Sequence, residues 1–114
     1  MGVYDERLAE RVRAGLSSHA GVSERKMMGG MVFMVDGKMA CGVIGDDLWV
    51  RVGKPALAAA LAQPHTRPMD FTGKPSSNMV YVAPAGLAGS ALDGWLAQGV
   101  EFARAAEPSR RRKA

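Results

Sequence analysis

The chain reads as an α+β domain of two layers, a five-stranded antiparallel sheet with helices packed on it, in the order α-β-β-β-α-β-β-α. Three observations predict it. Apolar residues at helical spacing open and close the chain, at Leu8, Val12 and Leu16 and again at Leu92, Leu96 and Ala103. Between them lie short apolar runs of strand length, broken by Gly, Asp and Pro. The sharpest break is Asp36-Gly37, set between Met31-Val32-Phe33-Met34-Val35 and Met39-Ala40-Cys41-Gly42-Val43. Gly37 can take the positive φ that a tight hairpin turn requires, and Asp36 tolerates it better than most residues.

In order along the chain, Asp5 caps a first helix whose buried stripe is Leu8, Val12 and Leu16, with Glu10 facing Arg13 and His19-Ala20-Gly21 ending it. Strands follow at Met27–Val35, Lys38–Ile44 and Leu48–Val52, joined through Asp36-Gly37 and Gly45-Asp46-Asp47 into a meander. Lys54-Pro55 opens a second helix, with Leu57 and Leu61 inward and Pro64 stopping it. Pro64–Pro68 reads as a loop, Met69–Thr72 as a short strand, Gly73–Ser77 as a turn and Met79–Val82 as the last strand. Ser90-Ala91-Leu92-Asp93 has capping-box spacing and starts a final helix with the stripe Leu92, Trp95, Leu96, Gly99, Phe102 and Ala103.

The strands do not alternate apolar with polar. In Met31–Val35 both alternating sets are apolar, and the same is nearly true of Met39–Ile44, Leu48-Trp49-Val50 and Met79–Val82. A sheet covered on one face alternates, so both faces are expected to have cover. Three short helices are few for that task. A second copy supplies the rest, and a symmetric homodimer burying roughly 2,000 Å² or more is expected.

At 114 residues the chain is expected to be one domain, 1–106, with a basic and disordered tail, 107–114. Its 47% hydrophobic and 23% charged residues are those of a globular protein. No apolar run approaches the ~20 residues of a membrane helix, and the first six residues lack the basic-then-apolar pattern of a signal peptide. Cys41 is the only cysteine, which excludes an intrachain disulfide and points to a reducing cytoplasm. The net charge of +4 is all in residues 110–113, and residues 1–109 balance. Four of the 15 Lys/Arg residues are Arg110, Arg111, Arg112 and Lys113, and the remaining 11 match the 11 Asp/Glu. Those four are the candidate nucleic-acid residues, able to support weak, salt-sensitive, sequence-independent contacts with phosphates. Without an aromatic residue to stack on bases, the tail reads more plainly as a solvated end that aids solubility.

Chemistry in the sequence is thin. Cys41 lies in an apolar strand, where a thiol is core, whereas a nucleophile needs exposure and a nearby base. His19 and His65 have no further ligand at metal spacing. Asp46-Asp47 are adjacent turn residues that point apart, a poor acid/base pair. Gly29-Gly30 precedes a strand, which suits a bulge or close backbone approach and not a phosphate loop. Met27, Met28, Met31, Met34 and Met39 form either core or an adaptable binding surface. Arg51, the one charge within its strand, is expected at a sheet edge or paired, with Asp70 in the next expected strand of the chain. No catalytic residue, cofactor or metal is expected.

Several landmarks together resemble a known family. Met27-Met28-Gly29-Gly30, the Asp36-Gly37 hairpin followed by Met39-Ala40, Leu48-Trp49-Val50-Arg51-Val52, and Met79-Val80-Tyr81-Val82 before the last helix are similar in order and spacing to the N-terminal domain of the TfoX/Sxy competence regulators. The resemblance spans roughly residues 4–105. Met28 and Cys41 stand where an aromatic is common in the family, swaps that bear on packing. The resemblance implies a two-layer fold similar to type III secretion chaperones, a group that often dimerises. It also implies a non-enzymatic regulatory or protein-interaction module. Longer members regulate DNA uptake and carry a second, C-terminal domain, so this chain reads as a stand-alone N-terminal domain.

Overall fold

The computed structural model describes residues 4–27, 29–70 and 78–105. Helix α1 runs Glu6–Leu16, and its start follows from Asp5, whose carboxylate accepts the backbone N–H groups of Arg7 at 2.9 Å and Leu8 at 3.2 Å. Two of the donors that every helix start leaves unpaired are thereby satisfied. Leu8, Ala9, Val12 and Leu16 are buried, and Arg13 meets Glu10 at 3.1 Å one turn earlier. The helix closes at Ser17, earlier than His19–Gly21, because the Ser17 hydroxyl donates to the Ala14 carbonyl at 2.7 Å.

The sheet has six strands, not the expected five: β1 (Val22–Met27), β2 (Gly30–Val35), β3 (Lys38–Ile44), β4 (Asp47–Arg51), β5 (Thr66–Pro68) and β6 (Met79–Val82). All pair antiparallel in the order β1-β2-β3-β4-β6-β5. Two expectations are corrected. The strand expected over Met27–Val35 is two strands, folded back on each other beside Gly29 (φ +75), with Met27 opposite Gly30. Gly30 is then so close to the Val43 carbonyl that a Cβ would collide with it, the close backbone approach its position suggested. β1 escaped notice because Ser23, Glu24, Arg25 and Lys26 are all polar and exposed, as an edge strand allows.

The second correction moves the fourth expected strand upstream. Thr66-Arg67-Pro68 pairs with β6, whereas Met69 and Asp70 are irregular, and residues 71 and 72 lie outside the described residues, as does the turn expected at 73–77. Proline argued for a loop, but on an edge strand its missing N–H costs nothing to the ladder. The Thr66 hydroxyl fastens this segment to the end of helix α2 (Lys54–Leu61), donating to the Gln63 carbonyl at 2.8 Å. The β2–β3 turn follows expectation, with φ +53 at Asp36 and +82 at Gly37. The register slips after Phe33. Phe33 faces Cys41 and Met34 faces Met39, so Ala40 is the extra residue of a bulge.

The helices sit on one face of the sheet. Helix α3 (Ala91–Ala105), preceded by a 3₁₀ turn at Pro84–Leu87, buries Leu92, Leu96, Gly99, Val100 and Ala103. They join Leu8, Val12 and Leu16 of α1 against Phe33, Val35, Cys41, Val43, Leu48, Val50, Val80 and Val82. In α2 only Ala60 is fully buried, and Leu57 and Leu61 pack at the margin. α3 lies close to the strands at Gly99, where a Cβ would stand 2.6 Å from the Ala40 carbonyl oxygen.

Gly99→Ala therefore has to lift α3 from the bulge. Despite alanine's better helix propensity, it should cost about 1–3 kcal/mol in urea unfolding, the range for overpacking a filled core. A second expectation concerns the tie between α1 and β1, where the Arg13 guanidinium donates to both carboxylate oxygens of Glu24. That hydrogen-bonded ion pair holds the Glu24 carboxyl below its ordinary range. Its stabilisation is present above the unfolded value of roughly 4.3 and is lost as pH falls through the lower folded value. Glu24→Gln should lose up to about 1 kcal/mol at neutral pH, as surface pairs do, and nothing in strong acid. Unfolding curves at the two pH values check both the size and the sign.

Candidate functional site

The side of the sheet away from the helices carries a second apolar cluster. Val32, Trp49, Tyr81 and Met69 are buried there, and Met34, Met39, Ile44 and Met79 pack round them half-exposed. Strand alternation places them: Val32 and Met34 on β2, Trp49 on β4, and Met79 and Tyr81 on β6 point opposite to the residues under the helices. Trp49 lies directly across from Tyr81 and from Gly42. It lies flat on Gly42, where a Cβ would come within 2.5 Å of the indole. Among the described residues no helical side chain belongs to this cluster. The methionines thus divide. Met31 joins the helix-side core, whereas Met34 and Met39 rim the open face beside Met79.

Charged groups mark the borders of this face. Arg67 stacks on the Tyr81 ring at 4.5 Å and donates to Asp47 at 2.7 Å. Burial, reinforced by Asp70, holds the Tyr81 phenol above its ordinary range; Arg67 pulls the other way and Asp47 adds to the rise. Arg51 is neither at an edge nor joined to Asp70. β4 lies between β3 and β6, and among the described residues Arg51 finds the Phe102 ring at 4.7 Å and donates Nη1 to the Met39 carbonyl at 3.3 Å. Its Nε has no partner, and desolvation lowers the guanidinium from its usual value. Arg51 thus bolts the end of the sheet to α3.

The other residues singled out from the sequence are scattered. His19 is half-buried after α1, and exposed His65 (φ +68) gives its carbonyl to Ala83 N–H at 2.8 Å. Asp46 and Asp47 diverge: Asp46 lines a cleft of about 270 Å³ beside Asp5, Arg7 and Arg11, and Asp47 is the Arg67 partner on β4. A second groove of about 340 Å³ separates α2 from α3, between Ala59, Gln63, Gly94, Trp95 and Gln98. Among the described residues no three His, Cys, Asp or Glu side chains gather as metal ligands, and no helix is long and apolar enough to cross a membrane. Arg110, Arg111, Arg112 and Lys113 lie outside the described residues, as do the side chains of Met27 and Met28.

The sequence missed how the open face is assembled. Trp49, Tyr81 and Met69 come from three distant segments, which the β4–β6 and β5–β6 pairings bring together. The usable signal was the parity of Trp49, which set an aromatic on the face opposite Leu48 and Val50. Cys41, by contrast, is fully buried in the helix-side core, and burial pushes its thiol up to about 12. Modification by a thiol reagent at neutral pH should be slow and should accelerate in parallel with urea-induced opening. Cys41→Ser should destabilise by about 1–3 kcal/mol, since a hydroxyl replaces a thiol in an apolar site.

With the geometry in place, comparison with known proteins adds one finding. No curated protein and no solved structure matches the chain. The family model of the TfoX N-terminal domain matches residues 14–103, from the second half of α1 to the end of the α3 core. By that match, which covers most of its length, the chain belongs to the TfoX N-terminal domain family.

Proposed function

We propose that this domain is a regulatory, protein-interaction module that works as a homodimer joined through the open face of its sheet. The observation that supports it is the second cluster itself. Trp49, Tyr81, Val32 and Met69 form an apolar floor, and Met34, Met39, Ile44 and Met79 a half-exposed rim, on the side that the helices leave bare. The floor is already buried within one chain, so the rim is what this face offers, and apolar side chains grouped half-exposed on one face mark a contact surface. Methionine suits that task because its unbranched, polarisable side chain adjusts to the opposing shape. A two-fold contact sets the same patch against itself and satisfies both copies at once. The family is associated with competence regulation, so control of DNA uptake is the process in which such contacts would operate.

Light scattering on dilute protein tests the reading. A mass near twice the 12.1 kDa of one chain at micromolar concentration supports it, and a mass near 12.1 kDa overturns it. Met79→Asp should shift the dimer to monomer with an unchanged circular dichroism spectrum, because its side chain lies on the rim and not in the floor. If Met79→Asp stays dimeric, the contact lies elsewhere on the molecule.

A further inference from the structure

We propose that the outer edge of β1 is a docking edge for an extended acidic segment of a partner protein, which adds to the sheet as a further strand. The inference deepens the interaction reading above, and rests on it, by naming the chemistry of the partner.

The sheet has two edges, and they differ. β5 is three residues long, Pro68 lacks an N–H, and Arg67 is drawn onto Tyr81 and Asp47. That edge is blunted in the ways edge strands usually are. β1 is six residues long, pairs only with β2 among the described residues, and exposes Ser23 to Lys26. Every second residue of such a strand turns its N–H and C=O outward, a template that only another extended backbone can match.

Charge selects the occupant. Glu24 is held by Arg13, whereas Arg25 and Lys26 have no acidic partner among the described residues. The edge is therefore cationic. Arg25 pairs with Val32 and Lys26 with Met31, so the two cations project to opposite faces of the sheet. An added strand with two successive Asp or Glu residues meets both at once. A second copy of β1 does not fit. An antiparallel β1–β1 pairing that joins four or more residues, with the sheet faces continuous, centres on Glu24 or on Arg25. Centred on Glu24 it sets Glu24 against Glu24; centred on Arg25 it sets Arg25 against Arg25, and its two Glu24–Lys26 pairs would draw on a Glu24 that Arg13 already holds. An acidic strand meets Arg25 and Lys26 with no like charge opposed and leaves Glu24 with Arg13.

The test uses the full chain and a labelled peptide of alternating Thr and Val with a Glu-Asp pair at its centre. A twin peptide carries Gln-Asn in their place. The acidic peptide should bind and shift the backbone amide signals of residues 22–27, and the twin should bind about fivefold to tenfold more weakly. The double variant Arg25→Glu with Lys26→Glu should reverse the preference toward a Lys-Arg peptide. Both side chains are exposed, so the variant should keep its fold, which circular dichroism checks. Equal binding of the two peptides, shifts centred away from residues 22–27, or no shift at millimolar peptide overturns the proposal. Loss of dimer mass with peptide binding intact would sink the open-face contact alone, and the converse result would sink the docking edge alone.

Discussion

The architecture depends on one close approach, α3 against the sheet at Gly99. The bulge that makes Ala40 an extra residue in β3 brings its carbonyl up beneath the helix, and only a residue without a side chain can lie over it. From that point α3 reaches β2, β3 and β4 and forms the wall against which α1 packs. α1 is amphipathic, and its stripe of Leu8, Val12 and Leu16 joins the same core. The helical layer is therefore placed by the sheet's own irregularity.

Once the helices are committed to one side, no helical side chain among the described residues covers the other side of the sheet. Its strands are apolar on both faces, so a surface of Val32, Trp49 and Tyr81 remains on the far side, and the chain adds Met69 to it. Gly42 has a comparable role there to that of Gly99 under α3: it lets a flat group, the Trp49 indole, lie on the backbone. Each glycine permits close packing on one face of the same strand region. The rim of thioethers differs from the β-branched core beneath the helices, where Val35, Val43, Val50, Val80 and Val82 pack in fixed rotamers. A β-branched side under the helices and a thioether-rimmed side away from them follow from the same strands.

The sequence was legible wherever local chemistry decides. Asp5 as a cap, Asp36-Gly37 as a turn, β3 at Lys38–Ile44 and β6 at Met79–Val82 each carry a signal within a few residues, and the structure places them accordingly. It was illegible where pairing overrides pattern. β1 is a strand because β2 offers it hydrogen bonds, and its own residues, Ser23 to Lys26, would suit a loop equally well. β5 contains a proline and is a strand because β6 has an unfilled edge. The same limit hid the open face, whose aromatics become neighbours only through the β4–β6 register. The non-alternating pattern did announce two apolar faces, and it carried no information on which residues would share them.

Arg51 shows how the two sides are joined. A guanidinium on an interior strand, with its Nε unpaired and its charge disfavoured by desolvation, is a costly residue in a sheet that is otherwise valine and aromatic. What it gains is reach. From the end of β4 it spans to the Phe102 ring on α3 and to the Met39 carbonyl at the start of β3, tying the last turns of the helical layer to the strand that carries a rim methionine. A cation over an aromatic ring recovers part of the lost hydration, and the hydrogen bond recovers more. One side chain thus contacts both the backbone at Met39 and the ring of Phe102.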